Sequence, residues 1–214
     1  MIVISHRGIW SKSGMGNSPH AINKSFEHGF GTELDIRDQE ERIVLSHDIP
    51  GDGCIDLQDA IDCWKKKNKP GYLAIDVKAC GLASKVEKII TRNDGYFFFG
   101  MPLPDMLEYR EKQLPFFTRV SEYEMEPLLY SDAEGVWLDL FYSDDDMLTQ
   151  IEKHLKNNKK VCIVSAELNG RSYENQWKML RDYGLAESDS LILCTDYSEK
   201  AREYFKESRK NESI

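Results

Sequence analysis

The chain has no paired-cysteine motif, no long apolar run and no excess of positive charge, and each absence closes off a class of function. Its five cysteines (Cys54, Cys63, Cys80, Cys162 and Cys194) are odd in number, scattered and never spaced CxxC. That spacing argues against both a zinc site and a dithiol redox centre. Cys162 and Cys194 fall inside apolar runs and are expected in the core. No stretch approaches the roughly 20 apolar residues needed to cross a bilayer, so no membrane insertion is expected. The first apolar run ends by His6, too soon for a secretory leader, and a soluble cytoplasmic protein is the expectation. A formal charge of −9 argues against a general nucleic-acid binder, although a local basic pocket for one phosphate remains compatible with it. No proline- or glycine-rich linker divides the 214 residues, and 41% hydrophobic content is enough for a substantial core. One domain spanning residues 1–214 is therefore expected.

What is present is a strand–helix rhythm. Eight short apolar runs read as strands: Ile2–Ser5, Thr32–Arg37, Tyr72–Val77, Tyr96–Phe99, Phe116–Arg119, Val136–Leu140, Val161–Ser165 and Leu191–Cys194. Most are continuous rather than alternating, as expected for parallel strands covered on both faces. Ile43–Ser46 reads as an additional strand. Helical spacing marks His20–Gly29, Leu57–Lys66, Leu82–Arg92, Pro104–Lys112, Asp144–Lys156, Tyr173–Tyr183 and Ser198–Lys206, with Val120–Leu129 the weakest helical pattern. Lys206–Ile214 is highly charged and is expected to fray. Eight strands alternating with helices predict an α/β fold, a single compact (β/α)₈ TIM barrel; an open doubly wound sheet is the rival.

Ionisable residues collect at the carboxyl ends of these strands, where barrel enzymes keep their active sites. Glu33 and Asp35 are two apart on one strand and face the same way, as do Asp76 and Lys78 on the next. Carboxylates from Glu33, Asp35 and Asp76 are expected to converge on one hard divalent cation, Mg²⁺ or Ca²⁺, with Mn²⁺ as a further possibility. Ion pairs of Glu33 and Asp35 with Arg37 or Lys78 are the simpler structural alternative. His6 and His47 are the natural acid and base, because imidazole titrates near neutral pH. Arg7 and Lys78 are suited to neutralising phosphate oxygens. Asp48, beside His47, is a candidate to orient a loop or the imidazole. His20, His28 and His154 are expected at the surface, and the aromatic run Tyr96–Phe99 in the barrel core.

The ordered set His6-Arg7-Gly8, Asn17-Ser18, Glu33-x-Asp35, His47-Asp48 and Asp76-x-Lys78 resembles the glycerophosphodiester phosphodiesterase family. That family carries HRG, ENT, ExD, HD and ExK in this order on a (β/α)₈ barrel, and the motifs here occupy the first 78 residues. The resemblance implies a metal held by Glu33, Asp35 and Asp76, acid–base histidines at His6 and His47, and phosphate contacts from Arg7 and Lys78. It also implies hydrolysis of a glycerophosphodiester to glycerol 3-phosphate and an alcohol. Gly16 stands where the family has the glutamate of ENT, Asp76 replaces the usual glutamate, and the stretch between His47 and Asp76 is short.

The expectation is a divalent-metal-dependent phosphoric diester hydrolase whose partner is a small-molecule phosphodiester. The nucleophile would be water or the substrate's own neighbouring hydroxyl. Met101, Arg119, Glu167, Arg171 and Tyr197, on the later loops, are candidates to contact the alcohol half. Two other readings keep the barrel: a non-catalytic protein that holds a phosphorylated ligand, and a lyase that uses Lys78 as a Schiff-base amine.

Overall fold

The computed structural model describes residues 1–12, 14–90 and 95–211. Among the described residues, nine strands form one sheet: β1 (Ile2–His6), β2 (Gly31–Gln39), β3 (Arg42–Leu45), β4 (Leu73–Val77), β5 (Tyr96–Phe99), β6 (Phe117–Val120), β7 (Gly135–Leu138), β8 (Lys160–Val164) and β9 (Leu191–Thr195). Between them run α1 (Pro19–Glu27), α2 (Leu57–Lys66), α3 (Ala83–Ile89), α4 (Leu103–Glu111), α5 (Met147–Lys156), α6 (Glu174–Asp182) and α7 (Ser198–Asn211). Hydrogen-bonded neighbours follow the order β5-β4-β2-β1-β9-β8-β7-β6, all parallel. A single parallel bridge, Phe98–Phe116, joins the two ends and closes the circle. The result is a nearly closed eight-stranded (β/α) barrel. β3 stands outside it, antiparallel to the upper half of β2.

The period-two alternation of strands sorts each apolar run into two cores. Outward side chains such as Leu34, Ile36, Leu73, Ile75 and Phe98 pack against α1–α4. Val136, Leu138, Val161, Ile163, Leu191 and Leu193 do the same on the α5–α7 side. Inward side chains fill the lumen: Ile4, Ala74, Phe97, Phe99, Phe117, Trp137, Cys162, Val164, Ile192 and Cys194. This accounts for the continuous apolar runs and confirms the core placement of both cysteines and of Tyr96–Phe99. Two stacked ring pairs seal the lumen beneath the mouth, Phe97 on Phe117 with centroids 3.7 Å apart and Phe99 on Trp137 at 3.8 Å. Because β5 and β6 share only one bridge, the Phe97–Phe117 stack is the main tie across that seam.

Three expectations are corrected. Val120–Leu129 is not a helix: Val120 ends β6, and a loop follows in which Ser121 and Glu124 exchange backbone hydrogen bonds. Glu122, Glu124 and Glu126 alternate with Tyr123 and Met125, a period that offers no helical face, and Pro127 disfavours helix at the residue before it. His154 is fully buried, not at the surface, because it shares the apolar stripe of α5 with Met147, Gln150 and Ile151. Its Nδ1 lies 2.8 Å from the Tyr130 hydroxyl. Burial, with Lys153 nearby, pushes its pKa down to about 4. Finally, α7 continues past Lys206 to Asn211. Arg92, at the end of the expected third helix, and residues 212–214 lie outside the described residues. Among the described residues, no helix is long and apolar enough to cross a membrane.

The seam makes a specific demand on its aromatic pair. Phe117→Ala should cost about 3–5 kcal/mol, since it opens a cavity and removes a ring stack at once. Urea unfolding of the variant against the parent chain checks this, and a cost below about 1 kcal/mol would refute the role given to the stack.

Candidate active site

The mouth of the barrel is built where inward alternation carries past the apolar lumen into polar residues. On β1, His6 follows Ile4; on β2, Glu33 and Asp35 point inward; on β4, Asp76 follows Ala74. Register places His6 beside Glu33 and Asp35 beside Asp76 on adjacent strands. One oxygen each from Glu33, Asp35 and Asp76 lies within 4.8 Å of the others. Glu33 and Asp35 are 2% and 0% exposed, so their charge must be answered within the protein.

The answers are specific. Arg7 Nε is 2.8 Å from Asp35 Oδ2, and Lys78 Nζ is 3.3 Å from Asp35 Oδ1 and 2.6 Å from Asp76 Oδ2. Asn17 donates to Asp35 Oδ2 at 2.7 Å and accepts from the Asp35 backbone N–H at 3.3 Å. The Arg7 backbone N–H donates to Glu33 Oε2 at 3.2 Å. Burial first, then the Asp35 and Asp76 carboxylates, pushes the Glu33 carboxyl well above its ordinary value. Burial also raises Asp76, against the pull of Lys78. For Lys78, burial alone would lower the value, but Asp76 and Asp35 outweigh it and the ammonium titrates above its ordinary range. A Schiff-base amine needs the opposite shift, which disfavours the lyase reading.

Local sequence explains how the first loop reaches the cluster. Arg7 adopts a left-handed conformation with φ of 57°, and Gly8 follows with φ of 89°. A Cβ on Gly8 would lie 2.5 Å from the Ala21 carbonyl carbon, so only glycine lets this loop rest on α1. Asn17 donates its backbone N–H to the Arg7 carbonyl at 2.9 Å. Ser18 caps α1 by accepting from the Ala21 N–H at 3.2 Å, and Pro19 occupies the first turn. At Gly16, a Cβ would come 2.9 Å from Arg7 Cβ, so the missing side chain leaves room for Arg7 to lie across toward Asp35.

His47 arrives by a different route. β3 returns from the hairpin beside β2, and the Ser46 N–H donates to the Asp35 carbonyl at 3.0 Å, which brings His47 back over the mouth. Its Nδ1 is 2.9 Å from Asp48 Oδ1, so Asp48 orients the imidazole. His6 and His47 line one open cleft of about 480 Å³, together with Arg7, Trp10, Asn17 and Asp196. Arg37, a proposed partner of Glu33 or Asp35, instead donates to the His47 carbonyl.

Asp196 is a further ionisable residue at the carboxyl end of a strand. It follows β9 and holds His6 Nδ1 at 2.8 Å, while His6 Nε2 faces Glu33 Oε2 at 3.9 Å. A carboxylate at Nδ1 favours the tautomer with its N–H there, which leaves Nε2 facing Glu33. Glu167 in turn accepts from the Asp196 N–H at 3.1 Å, from Thr195 Oγ1 at 2.5 Å and from Ser165 Oγ at 2.5 Å. Glu167 therefore braces the end of β9, and Arg171 forms a two-pronged pair with Asp144. Of the five later-loop candidates, Met101 and Arg119 line a second groove beside the mouth, and Tyr197 packs on Tyr173.

No protein-family model matches the chain, and no curated protein matches it in sequence. Solved structures do match its fold. A glycerophosphodiester phosphodiesterase from Agrobacterium tumefaciens str. C58 superposes with a TM-score of 0.69 at 15% identity, covering 98% of this chain and 99% of that one. A phosphodiesterase from Oleispira antarctica, solved with the product sn-glycerol-3-phosphate, gives 0.68 at 16% identity over 96% and 97%. A glycerophosphoryl diester phosphodiesterase from Parabacteroides distasonis ATCC 8503 gives 0.70 at 14% identity over 96% and 86%. The likeness spans nearly the whole chain and is one of fold, a barrel shared with three phosphodiesterases and in keeping with the motif resemblance.

Proposed function

We propose that this chain is a soluble cytoplasmic phosphoric diester hydrolase that acts on a glycerophosphodiester-like small molecule with one divalent metal ion. The observation that carries this reading is the convergence of Glu33, Asp35 and Asp76 with His6, His47, Arg7 and Lys78 on one barrel mouth. Among the described residues the three carboxylates pair directly with two cations, Arg7 and Lys78, so these direct pairs leave a formal excess of negative charge. Its donors are all hard oxygens, which suit Mg²⁺ or Ca²⁺, with Mn²⁺ next. When bound, the ion would polarise the phosphoryl group and stabilise charge on the attacked phosphate.

The chain's own groups supply the rest. Arg7 and Lys78 offer charge-assisted hydrogen bonds to the phosphate oxygens. Of His6 and His47, one takes the proton of the attacking oxygen and the other protonates the departing alkoxide. Asp196 holds the His6 ring with Nε2 toward Glu33, and Asp48 engages Nδ1 of His47.

Hydrolysis of bis-(p-nitrophenyl) phosphate and glycerophosphocholine should require Mg²⁺, Ca²⁺ or Mn²⁺ and stop with EDTA. His6→Ala and His47→Ala should each lose about 10²–10⁴-fold in kcat. No turnover of any diester with any of these ions, or full activity in both variants, sinks the reading; tight phosphate binding without turnover would favour a binding protein instead. Asp196→Ala should lower kcat more than it raises KM, because Asp196 acts through His6 Nδ1.

The raised Glu33 carboxyl gives an independent test. The folded chain holds that proton more tightly than the unfolded chain, so this group's contribution to stability falls as pH rises from near 4.5 through the raised value. In EDTA at pH 8, Glu33→Gln should therefore melt above the parent chain, by about 3 °C or more, with the gap shrinking toward pH 5. Mg²⁺ or Ca²⁺ should raise the melting temperature of the parent chain and have little effect on the variant. A variant less stable than the parent at pH 8 would overturn the account of strain in the cluster.

A further inference from the structure

The barrel's weakest seam opens beside the candidate site. β5 and β6 share one bridge, and above it Gly100 and Met101 on one side and Thr118 and Arg119 on the other line an open groove of about 780 Å³. It is adjacent to the carboxylate cluster through Gly100. Gly100 lines the groove, and a Cβ there would lie 2.1 Å from Asp76 Oδ1. The groove therefore lies against the carboxylate that the phosphate would approach, with Asp76 packed on its Gly100 wall.

The groove's chemistry differs from that of the mouth. Met101, Leu103, Met106, Met125 and Leu128 contribute apolar surface. Leu103, Met125 and Leu128 remain 42%, 62% and 49% exposed, a cluster of wetted apolar side chains that a ligand would cover. Arg119 is the only cationic side chain among the lining residues, and it already donates to Glu124. Glu122 accepts the backbone N–H groups of Phe141 and Tyr142, each at 2.9 Å, and so pins the loop that forms the outer wall. Little is left to attract a second anion. The volume lies in the roughly 300–1,000 Å³ range of sites for drug-sized ligands, far more than a three-carbon polyol fills.

Resting on the phosphodiesterase reading, we infer that this groove seats one ester substituent of the diester, and that the substituent carries a hydrocarbon chain. A short polyol would leave the apolar wall wet, and an anionic alcohol would meet carboxylates at the rim. Substrate selection then comes from the loops after β5 and β6, while the phosphate is handled by β1, β2 and β4.

The test uses alkyl p-nitrophenyl phosphates from methyl to octyl, all below their micelle-forming concentrations, with the supporting metal. The value of kcat/KM should rise by about tenfold or more from methyl to octyl. In the double variant Leu103→Glu/Met125→Glu the rise should fall below about threefold, while the methyl ester is hydrolysed as in the parent chain. A flat series in the parent, a rise that survives in the double variant, or a preference for a choline or glycerol ester over octyl overturns the inference. If no ester of the series is hydrolysed with any metal, the phosphodiesterase reading itself has failed. Calorimetric binding of octyl phosphate against methyl phosphate then decides the groove: tighter octyl binding that is lost in the double variant supports it, and equal binding refutes it.

Discussion

Everything at the mouth of this barrel answers to the burial of three carboxylates within 4.8 Å of one another. A lone buried carboxylate is costly, and three raise the cost through mutual repulsion. Asp35, with no exposed surface, meets it by engaging Arg7, Lys78 and Asn17 at once. Those partners then dictate the local chain. Arg7 accepts a left-handed backbone to reach Asp35, Gly8 lets the loop rest on α1, and Asn17 ties its side chain to Asp35 and its N–H to Arg7. Arg7, Gly8, Asn17 and Asp35 thus form one interlocked unit around a single carboxylate.

That unit depends on the regularity beneath it. Inward positions are apolar up to one level of the barrel and ionisable above it, so the floor of the site is a wall of stacked rings and aliphatic side chains. A dry floor keeps the local dielectric low, which strengthens each ion pair above it and also sharpens the penalty for any unpaired charge. The same regularity is weakest between β5 and β6, where two rings do the work that a ladder of backbone hydrogen bonds does elsewhere. A groove at that seam is what such a fold permits with the least disturbance, because fewer backbone groups there are committed to the sheet.

Sequence patterning reveals features that depend on neighbours along the chain. The strands were legible because alternation and apolar runs are local, and the triad because Glu33 and Asp35 share a face of β2 while Asp76 sits level with Asp35 on β4. Asp196 was visible as a charge but not as the partner of His6, since 190 residues separate them and only closure of the barrel brings β9 beside β1. Glu167 looked like a substrate contact for the same reason: its acceptors are filled by Thr195 and the Asp196 N–H across a strand boundary that no spacing encodes. His154 was misplaced because a polar side chain on a helix reads as solvent-facing until its position on the buried stripe is weighed. The loop after β6 shows the converse, since its period-two pattern contradicts a helix but cannot say what the loop encloses.

The departures at positions 16 and 76 can be understood together through space near the cluster. At position 16 a side chain would begin 2.9 Å from Arg7 Cβ, so a glutamate there and the present path of Arg7 exclude each other. Removing that carboxylate lowers the negative charge around Asp35 and leaves Arg7 free to pair with it. At position 76 the aspartate is one methylene shorter than a glutamate, which would hold its oxygens nearer the strand and farther from the centre. Yet Asp76 still contributes an oxygen to the cluster, bridged to Asp35 by Lys78. The space beside it is supplied by Gly100, whose bare Cα lets the carboxylate lean along β5, where a Cβ would fall 2.1 Å from Asp76 Oδ1. Asp76 and Gly100 therefore form a matched pair: the short acid needs the empty position beside it, and that empty position is also the threshold between the carboxylate cluster and the apolar groove.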